Sequence, residues 1–329
     1  MHDTPDRTRR AFLLTAGAAG SVGLAGCAGT PGSVSSSDDR RSLTVAILAA
    51  GSLQHALETG LAPAIDVPIR VEAHGSATVA RMVAEGQRDP DIVTVADTAL
   101  FEEPLSPPWY STFTSNAVVL AYNPDTEGGR RVAAADRWYD PLVAGDVRLG
   151  RTDPDQDPLG YRTLFTLELA ARYYDDAPAL HETIPDRRQL YPETALISEF
   201  ETGSIDAAFA YRNMAVERGY DYVDLPDRID LSSPAHTERY ATVSYTLPSG
   251  QEIRGDLISY GSTIRRPSDA ARSVFLAHTT GDYLGESGFL LRDEFPRYEG
   301  DVPAAVRDAT NDEREPTVSD TVSDLTILR

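Results

Sequence analysis

Apolar residues along the chain gather in short runs that alternate with amphipathic stretches. Residues 43–48, 67–72 and 91–95 are compact and rich in apolar side chains, and they read as strands. Between them, residues 53–61 and 78–85 carry the spacing of helices with one buried face. This βαβαβ rhythm predicts a parallel sheet with helices on its faces. Residues 116–122 form a longer apolar strand placed to leave that first unit. A second series follows, with strands at 147–149, 207–211 and 222–225 and helices at 161–174 and 193–201. Residues 242–247 and 252–260 flank Ser249-Gly250 and read as a β-hairpin. Gly261-Ser262-Thr263 and a helix over 268–279 close the series, and no internal repeat is visible.

Two junctions in this pattern carry candidate chemistry. Ala49-Ala50-Gly51-Ser52-Leu53 and Gly75-Ser76-Ala77-Thr78 each place a Gly-Ser pair after a strand and before a helical run. A hydroxyl residue there can cap the helix, and the first-turn N–H groups stay free to hold an anion. Two such junctions suggest two helix N-termini facing one ligand. Pro192-Glu193-Thr194 opens another helical run, since proline marks a first turn, and Asp157-Pro158-Leu159-Gly160 precedes the helix near Tyr161. Asp157 also suits an N-cap, and Arg162 suits a pair with a neighbouring carboxylate.

The N-terminus bears on compartment. Arg9-Arg10-Ala11-Phe12-Leu13 is a twin-arginine start, followed by an apolar small-residue run that ends in Leu24-Ala25-Gly26-Cys27. The run is shorter than a membrane span of ~20 residues, so residues 1–27 read as an export signal. Cys27 is the single cysteine of the 329 residues, which excludes a disulfide within the chain, and it stands where a lipoprotein carries its lipid. Residues 28–41 read as a flexible tether. The expectation is a monomer exported through the twin-arginine route and lipid-anchored to the outer face of the cell membrane.

Charge narrows the partners. Against 51 acidic residues stand 30 basic ones, all arginine, for a net charge of −21. An acidic surface without lysine is similar to that of haloarchaeal proteins, where high salt screens self-repulsion. It speaks against nucleic-acid binding, which needs a basic stripe. An anionic ligand would have to be caught by local dipoles, because the overall field repels it. The six histidines, at 2, 55, 74, 181, 236 and 278, show no metal-binding spacing, no GxSxG elbow is present, and the absence of lysine excludes a GxxxxGK phosphate loop.

Residues 42–306, roughly 265 positions, are comfortable for two lobes around one cleft. The expected division is lobe I over 42–118, lobe II over 119–247 and a return to lobe I over 248–306. Residues 307–329 are expected to form a disordered acidic tail.

The segments AAGSL (49–53), HGSATVARMVAEGQRDPDIVTVAD (74–97), SNAVVLAYNP (115–124), TDPDQDPLGYR (152–162), ETGSIDAAFAYRNMAV (201–216) and ISYGSTI (258–264) occur in an order that resembles the substrate-binding proteins of molybdate/tungstate ABC importers, the archaeal lipoprotein branch in particular. The resemblance runs from about Leu43 to Leu291. It implies a two-lobed, periplasmic-binding-protein-like (type II) α/β fold with a ligand cleft between the lobes, no enzymatic activity, no cofactor, and a membrane permease with its ATPase as partners. It places oxyanion-binding serines on Ser52 and Ser76, backbone N–H donors near Leu159 and Glu193, and a tyrosine on Tyr211. The archaeal branch adds two carboxylates that complete six-coordination of the metal centre. One falls on Asp157. The other falls in the strand before the tyrosine, where this chain has Ala210, which coordinates nothing. The competing expectations are a binding protein for sulfate, phosphate or another small anion, and an exported hydrolase using Ser52 or Ser76.

Overall fold

The computed structural model describes residues 44–314 apart from residue 178. The signal, Cys27, the tether and residues 315–329 of the expected tail lie outside the described residues. Within them lie two large sheets and a two-stranded hairpin. The first has six strands in the order β13-β4-β12-β3-β1-β2. Its parallel half is β1 (Val45–Ala50), β2 (Ile69–His74) and β3 (Ile92–Val95), with β1 between the other two. These are the three strands of the sequence pattern, joined by helical connections on the faces of the sheet. Its antiparallel half is β4 (Trp109–Ser115), β12 (Ser259–Ile264) and β13 (Arg297–Gly300).

The second sheet runs β7-β6-β8-β5-β9. Here β5 (Val118–Tyr122) pairs antiparallel with β8 (Ala207–Tyr211) and β9 (Asp221–Asp224). The strand β6 (Leu149–Thr152) pairs parallel with β8 and with the short β7 (Leu190–Tyr191). The chain leaves the first sheet through Asn116 and Ala117, between β4 and β5, and re-enters it at β12. A β-hairpin of β10 (Ser244–Thr246) and β11 (Glu252–Arg254) precedes that return.

Several elements depart from the expectation. The strand β4 was not anticipated. Its sequence, Trp-Tyr-Ser-Thr-Phe-Thr-Ser, buries hydroxyls beside its aromatics: Ser115 Oγ donates to the Ile258 carbonyl at 2.6 Å, and Thr114 Oγ1 to the Leu290 carbonyl at 3.3 Å. Buried hydroxyls erase the apolar signature by which a strand is recognised. The second arm of the hairpin stops at Arg254, and Tyr260 belongs to β12, which pairs with both β3 and β4. The first residues of the expected acidic tail are instead helical: a helix runs Ala304–Arg314, with Val306 buried. Among the described residues, no helix is long and apolar enough to cross a membrane.

The helices that follow β1, β2 and β6 decide where the ligand groups stand. After β1 a continuous helical stretch covers residues 51–64, opening with a tight 3₁₀ turn at Gly51–Leu53. After β2 comes Ser76–Ala84, with Gly75 as N-cap. After β6 comes Pro158–Tyr173, whose N-cap Asp157 accepts a hydrogen bond from the Leu159 N–H, with proline at the first position. The helix Glu193–Glu201 follows β7, with Pro192 as N-cap. The starts of all four lie beyond the carboxyl ends of β1, β2, β6 and β7, the side of an α/β sheet where ligands collect.

Candidate functional site

A cavity of about 330 Å³ opens between the two sheets. His74, Gly75 and Thr78 line it from the first lobe, and Thr152, Asp157, Tyr191 and Glu193 from the second. The lobes touch beside it. Thr78 N–H donates to the Gln156 carbonyl at 3.3 Å, and Arg81 Nη1 donates to the Asp155 carbonyl at 3.0 Å. A Cβ on Gly75 would lie 2.5 Å from the Gln156 oxygen, so only glycine permits this approach.

All six residues expected at the site are buried: Ser52, Ser76, Asp157, Leu159, Glu193 and Tyr211. The two serines stand at the helix starts but do not cap them. Neither helix start has a side-chain cap, and the N-cap positions are Ala50 and Gly75. The hydroxyls are held from outside the helix instead. Ser76 Oγ accepts from the Ala96 N–H at 2.9 Å, and Ser52 Oγ lies 2.9 Å from the Tyr260 hydroxyl.

Asn116 Oδ1 accepts from the Ala117 N–H, so Asn116 Nδ2 is the donor end, and it reaches the Tyr260 oxygen at 3.2 Å. The Tyr260–Ser52 contact can run in either direction, since each hydroxyl is both donor and acceptor. Asn213 closes the network across the lobes. Its Nδ2 donates to the Ser52 carbonyl at 2.8 Å, and its Oδ1 accepts from Asn116 Nδ2 at 2.8 Å.

The second lobe contributes a different kind of group. Asp157 and Glu193 are buried carboxyls from two separate helix starts, and they interact electrostatically with one another. Burial pushes Asp157 up to about 6, opposed by the Thr152 hydroxyl, the Leu159 N–H and the Arg162 guanidinium. Burial also raises Glu193 well above its ordinary range, and the Asp157 charge adds to it; the Gly51 and Ser52 N–H groups favour its ionised form. Asp157 Oδ2 and both Glu193 oxygens nevertheless lack a well-formed hydrogen bond within the protein. Glu193 reaches right up to the first helix start. A Cβ on Gly51 would lie 2.1 Å from Glu193 Oε2, so any larger residue there would displace that carboxyl.

Two expectations change with this geometry. The Leu159 N–H, expected to face the ligand, donates to Asp157 Oδ1 at 3.2 Å. Glu193 was expected to contribute only its backbone, yet its side chain stands beside Asp157 in the cavity wall. Ala210 is buried in β8 opposite Val119, as an apolar strand position. Glu193 lies 36 residues after Asp157 in sequence, on a different helix start. The only sequence signal for it was an acid at the first position of a helix, which ordinarily stabilises that end through the helix dipole.

Tyr211 ends β8 with its ring fully buried. Its oxygen accepts from Arg162 Nη1 at 2.7 Å. Arg162 also forms the ion pair expected of it, with Nη2 3.0 Å from Asp97 Oδ2 of the other lobe. Asn116, Asn213, Tyr260 and Asp97 were not singled out from sequence, because their importance lies in contacts 64–208 residues apart.

Two α/β lobes, two chain crossings and a ligand-sized cavity between them define a solute-binding protein of the two-lobed type. Residues 45–252 match the family described as bacterial extracellular solute-binding protein, and the chain belongs to that family. A Haloferax volcanii protein, provisionally named as an ABC transporter molybdenum-binding protein, is 55% identical over 90% of this chain and 96% of its own length. The molybdate/tungstate-binding protein WtpA of Thermococcus kodakarensis is 30% identical over 68% of this chain and 70% of its own. The solved periplasmic molybdate-binding protein of Azotobacter vinelandii shares the fold at a TM-score of 0.54, with 13% identity, covering 76% of this chain and all of that one.

Proposed function

We propose that this protein captures molybdate or tungstate outside the cell and delivers it to an ABC permease with its ATPase. The observation that carries the reading is the buried pair Asp157 and Glu193, with three carboxyl oxygens lacking a well-formed hydrogen bond among the described residues, set against helix starts that carry Ser52 and Ser76. Buried polar atoms ordinarily find partners, so an unmatched set beside a cavity marks the place of a ligand. Hydroxyls and first-turn amides suit the oxygens of a small dianion. Carboxylates repel such an anion unless they bond its central atom or are protonated. Molybdenum and tungsten accept additional oxygen ligands beyond the four of the oxyanion, whereas the sulfur of sulfate does not. In this reading Asp157 and Glu193 together supply the two extra ligands, and Glu193 takes the place that Ala210 leaves empty.

The names of the relatives support this substrate class, and family membership supports a binding and transport role over a hydrolytic one. The described hydrogen bonds of the two serines lead to Tyr260 and to the Ala96 amide, which is no arrangement for activating a nucleophile. Export by the twin-arginine route and anchoring through Cys27 complete the proposal. No cofactor is required, and one chain forms the whole cleft.

Titration calorimetry of the purified protein in high salt, with tungstate, molybdate, sulfate and phosphate, tests the reading. Tungstate and molybdate are expected to bind far more tightly than sulfate or phosphate. Equal binding of sulfate would assign the cleft to small oxyanions in general, and failure to bind tungstate or molybdate at micromolar concentrations would overturn the proposal.

A further inference from the structure

Arg162 is a buried cation placed between the lobes, and its hydrogen bonds run in both directions. Toward lobe I, Nη1 donates to the Ala96 carbonyl at 2.6 Å and Nη2 pairs with Asp97 Oδ2 at 3.0 Å. Within lobe II, the same Nη1 donates to the Tyr211 hydroxyl oxygen at 2.7 Å. Asp97 is itself held in place. Its Oδ1 accepts from the Ala99 N–H at 3.0 Å, and its Oδ2 accepts from the Tyr161 hydroxyl at 2.6 Å. The backbone of Ala96 serves both sides of the cleft, since its N–H donates to Ser76 Oγ and its carbonyl accepts from Arg162.

From this geometry we infer that Arg162 is a positioning residue that makes Tyr211 an obligate donor, and does so only when the lobes are closed. The inference rests on the oxyanion reading of the cleft. A guanidinium nitrogen carries protons and has no lone pair to offer, so the Tyr211 oxygen must accept from it. The remaining proton of Tyr211 is then the one available to a ligand. A hydrogen bond from a cation also polarises the hydroxyl and strengthens what it donates. The orientation depends on Ala96 and Asp97, which belong to lobe I. Opening the cleft removes both anchors, frees the guanidinium to turn away, and leaves Tyr211 able to present either a lone pair or a proton. Donor direction and lobe closure are therefore one event. Ser76 is oriented by the N–H of the same residue, Ala96, so two donors on opposite lobes become aligned together.

The test is a double-mutant cycle on tungstate affinity in the full chain, using Arg162→Gln, Tyr211→Phe and both together, with Arg162→Lys and Asp97→Asn as gentler variants. Each single change at Arg162 or Tyr211 is expected to weaken tungstate binding about 10- to 100-fold, the range for losing a hydrogen bond to a charged group. In the Arg162→Gln background, Tyr211→Phe should cost little more, because the donor is already undirected. Asp97→Asn, which leaves Arg162 and Tyr211 in place but loosens the anchor, should weaken binding in the same direction with a faster release of ligand in stopped-flow measurements. Additive losses in the cycle would overturn the inference, as would unchanged affinity in Arg162→Gln or in Asp97→Asn. Should Arg162→Gln fail to fold, the cycle runs on Arg162→Lys, which keeps the charge but cannot span three acceptors at once. Wild-type protein that binds neither tungstate nor molybdate would instead sink the oxyanion reading, which separates the two failures.

Discussion

The two walls of the cleft solve different problems. On the lobe I side of the proposed site stand the helix starts that carry Ser52 and Ser76, uncharged hydroxyls already engaged with Tyr260 and the Ala96 N–H. The lobe II wall presents Asp157 and Glu193, buried acids of which three oxygens lack a well-formed hydrogen bond among the described residues. One wall is at rest without ligand and the other is strained. A neutral donor wall accepts any small oxyanion of suitable size. An unmatched acid wall penalises the empty protein and every oxyanion whose centre cannot take another oxygen ligand. In this division the first wall serves small oxyanions in general, and the second supplies the added affinity for tungstate and molybdate that makes the site selective.

The sharpest way to break the comparison is to neutralise the acid wall. Asp157→Asn with Glu193→Gln should lower tungstate affinity on the order of 1000-fold, from two charge-assisted contacts of about 2 kcal/mol each, while sulfate binding holds or improves. Loss of sulfate binding in parallel would erase the distinction between the walls; calorimetry with both anions reads it. The same double variant should melt higher than wild type when empty, because two unmatched buried acids have been made neutral. Differential scanning calorimetry without ligand checks this.

Ser52→Ala and Ser76→Ala address the donor wall. Each should weaken tungstate and sulfate alike, by about 10- to 100-fold, leaving their ratio nearly unchanged. A change in the ratio after a serine substitution would move selectivity onto the wrong wall.

The pH dependence separates coordination from simple hydrogen bonding. Asp157 is raised to about 6 in the folded protein from an unfolded value near 3.8, and Glu193 is raised as well. Between those two values the folded state binds more protons than the unfolded one. The associated stability is fully present below the unfolded pKa and is lost as pH rises through the folded one, an effect of about 3 kcal/mol for Asp157. The empty protein should therefore be more stable near pH 5 than near pH 8. Coordination needs ionised acids, so tungstate affinity should rise over the same interval. Affinity that falls as pH rises would mean that protonated acids donate hydrogen bonds to an intact tetrahedral anion.

The smallest effect concerns the seam between the walls. Gly51→Ala places a Cβ against Glu193 Oε2, so that carboxyl must shift while the Ser52 network remains. Tungstate selectivity over sulfate is expected to fall by about 10-fold, with sulfate binding nearly unaffected, as measured by competition titration. An unchanged ratio would show that Glu193 is free to stand elsewhere.

Legibility from sequence followed locality. The strands at β1, β2 and β3, the helix starts at Ser52 and Ser76, and Asp157 as an N-cap before Pro158 all depend on neighbours within a few residues. Those features are written in periodicity and in the chemistry of helix starts. The strand β4 was hidden by its buried hydroxyls, and β12 was merged into the hairpin before it, because register with distant partners decides where such a strand begins.

The sequence by itself determined an α/β chain with Gly-Ser junctions at two helix starts, together with the order of motifs that points to oxyanion import. Tertiary structure alone decided that Glu193 turns its side chain toward Asp157, that Gly51 leaves room for it, and that Arg162 joins Tyr211 to Ala96 and Asp97 across the cleft. The physical reason is that a helix start is built by consecutive residues. A pair of buried charges, or a hydrogen bond between lobes, exists only where folding brings separate segments within a few ångströms and removes the water between them.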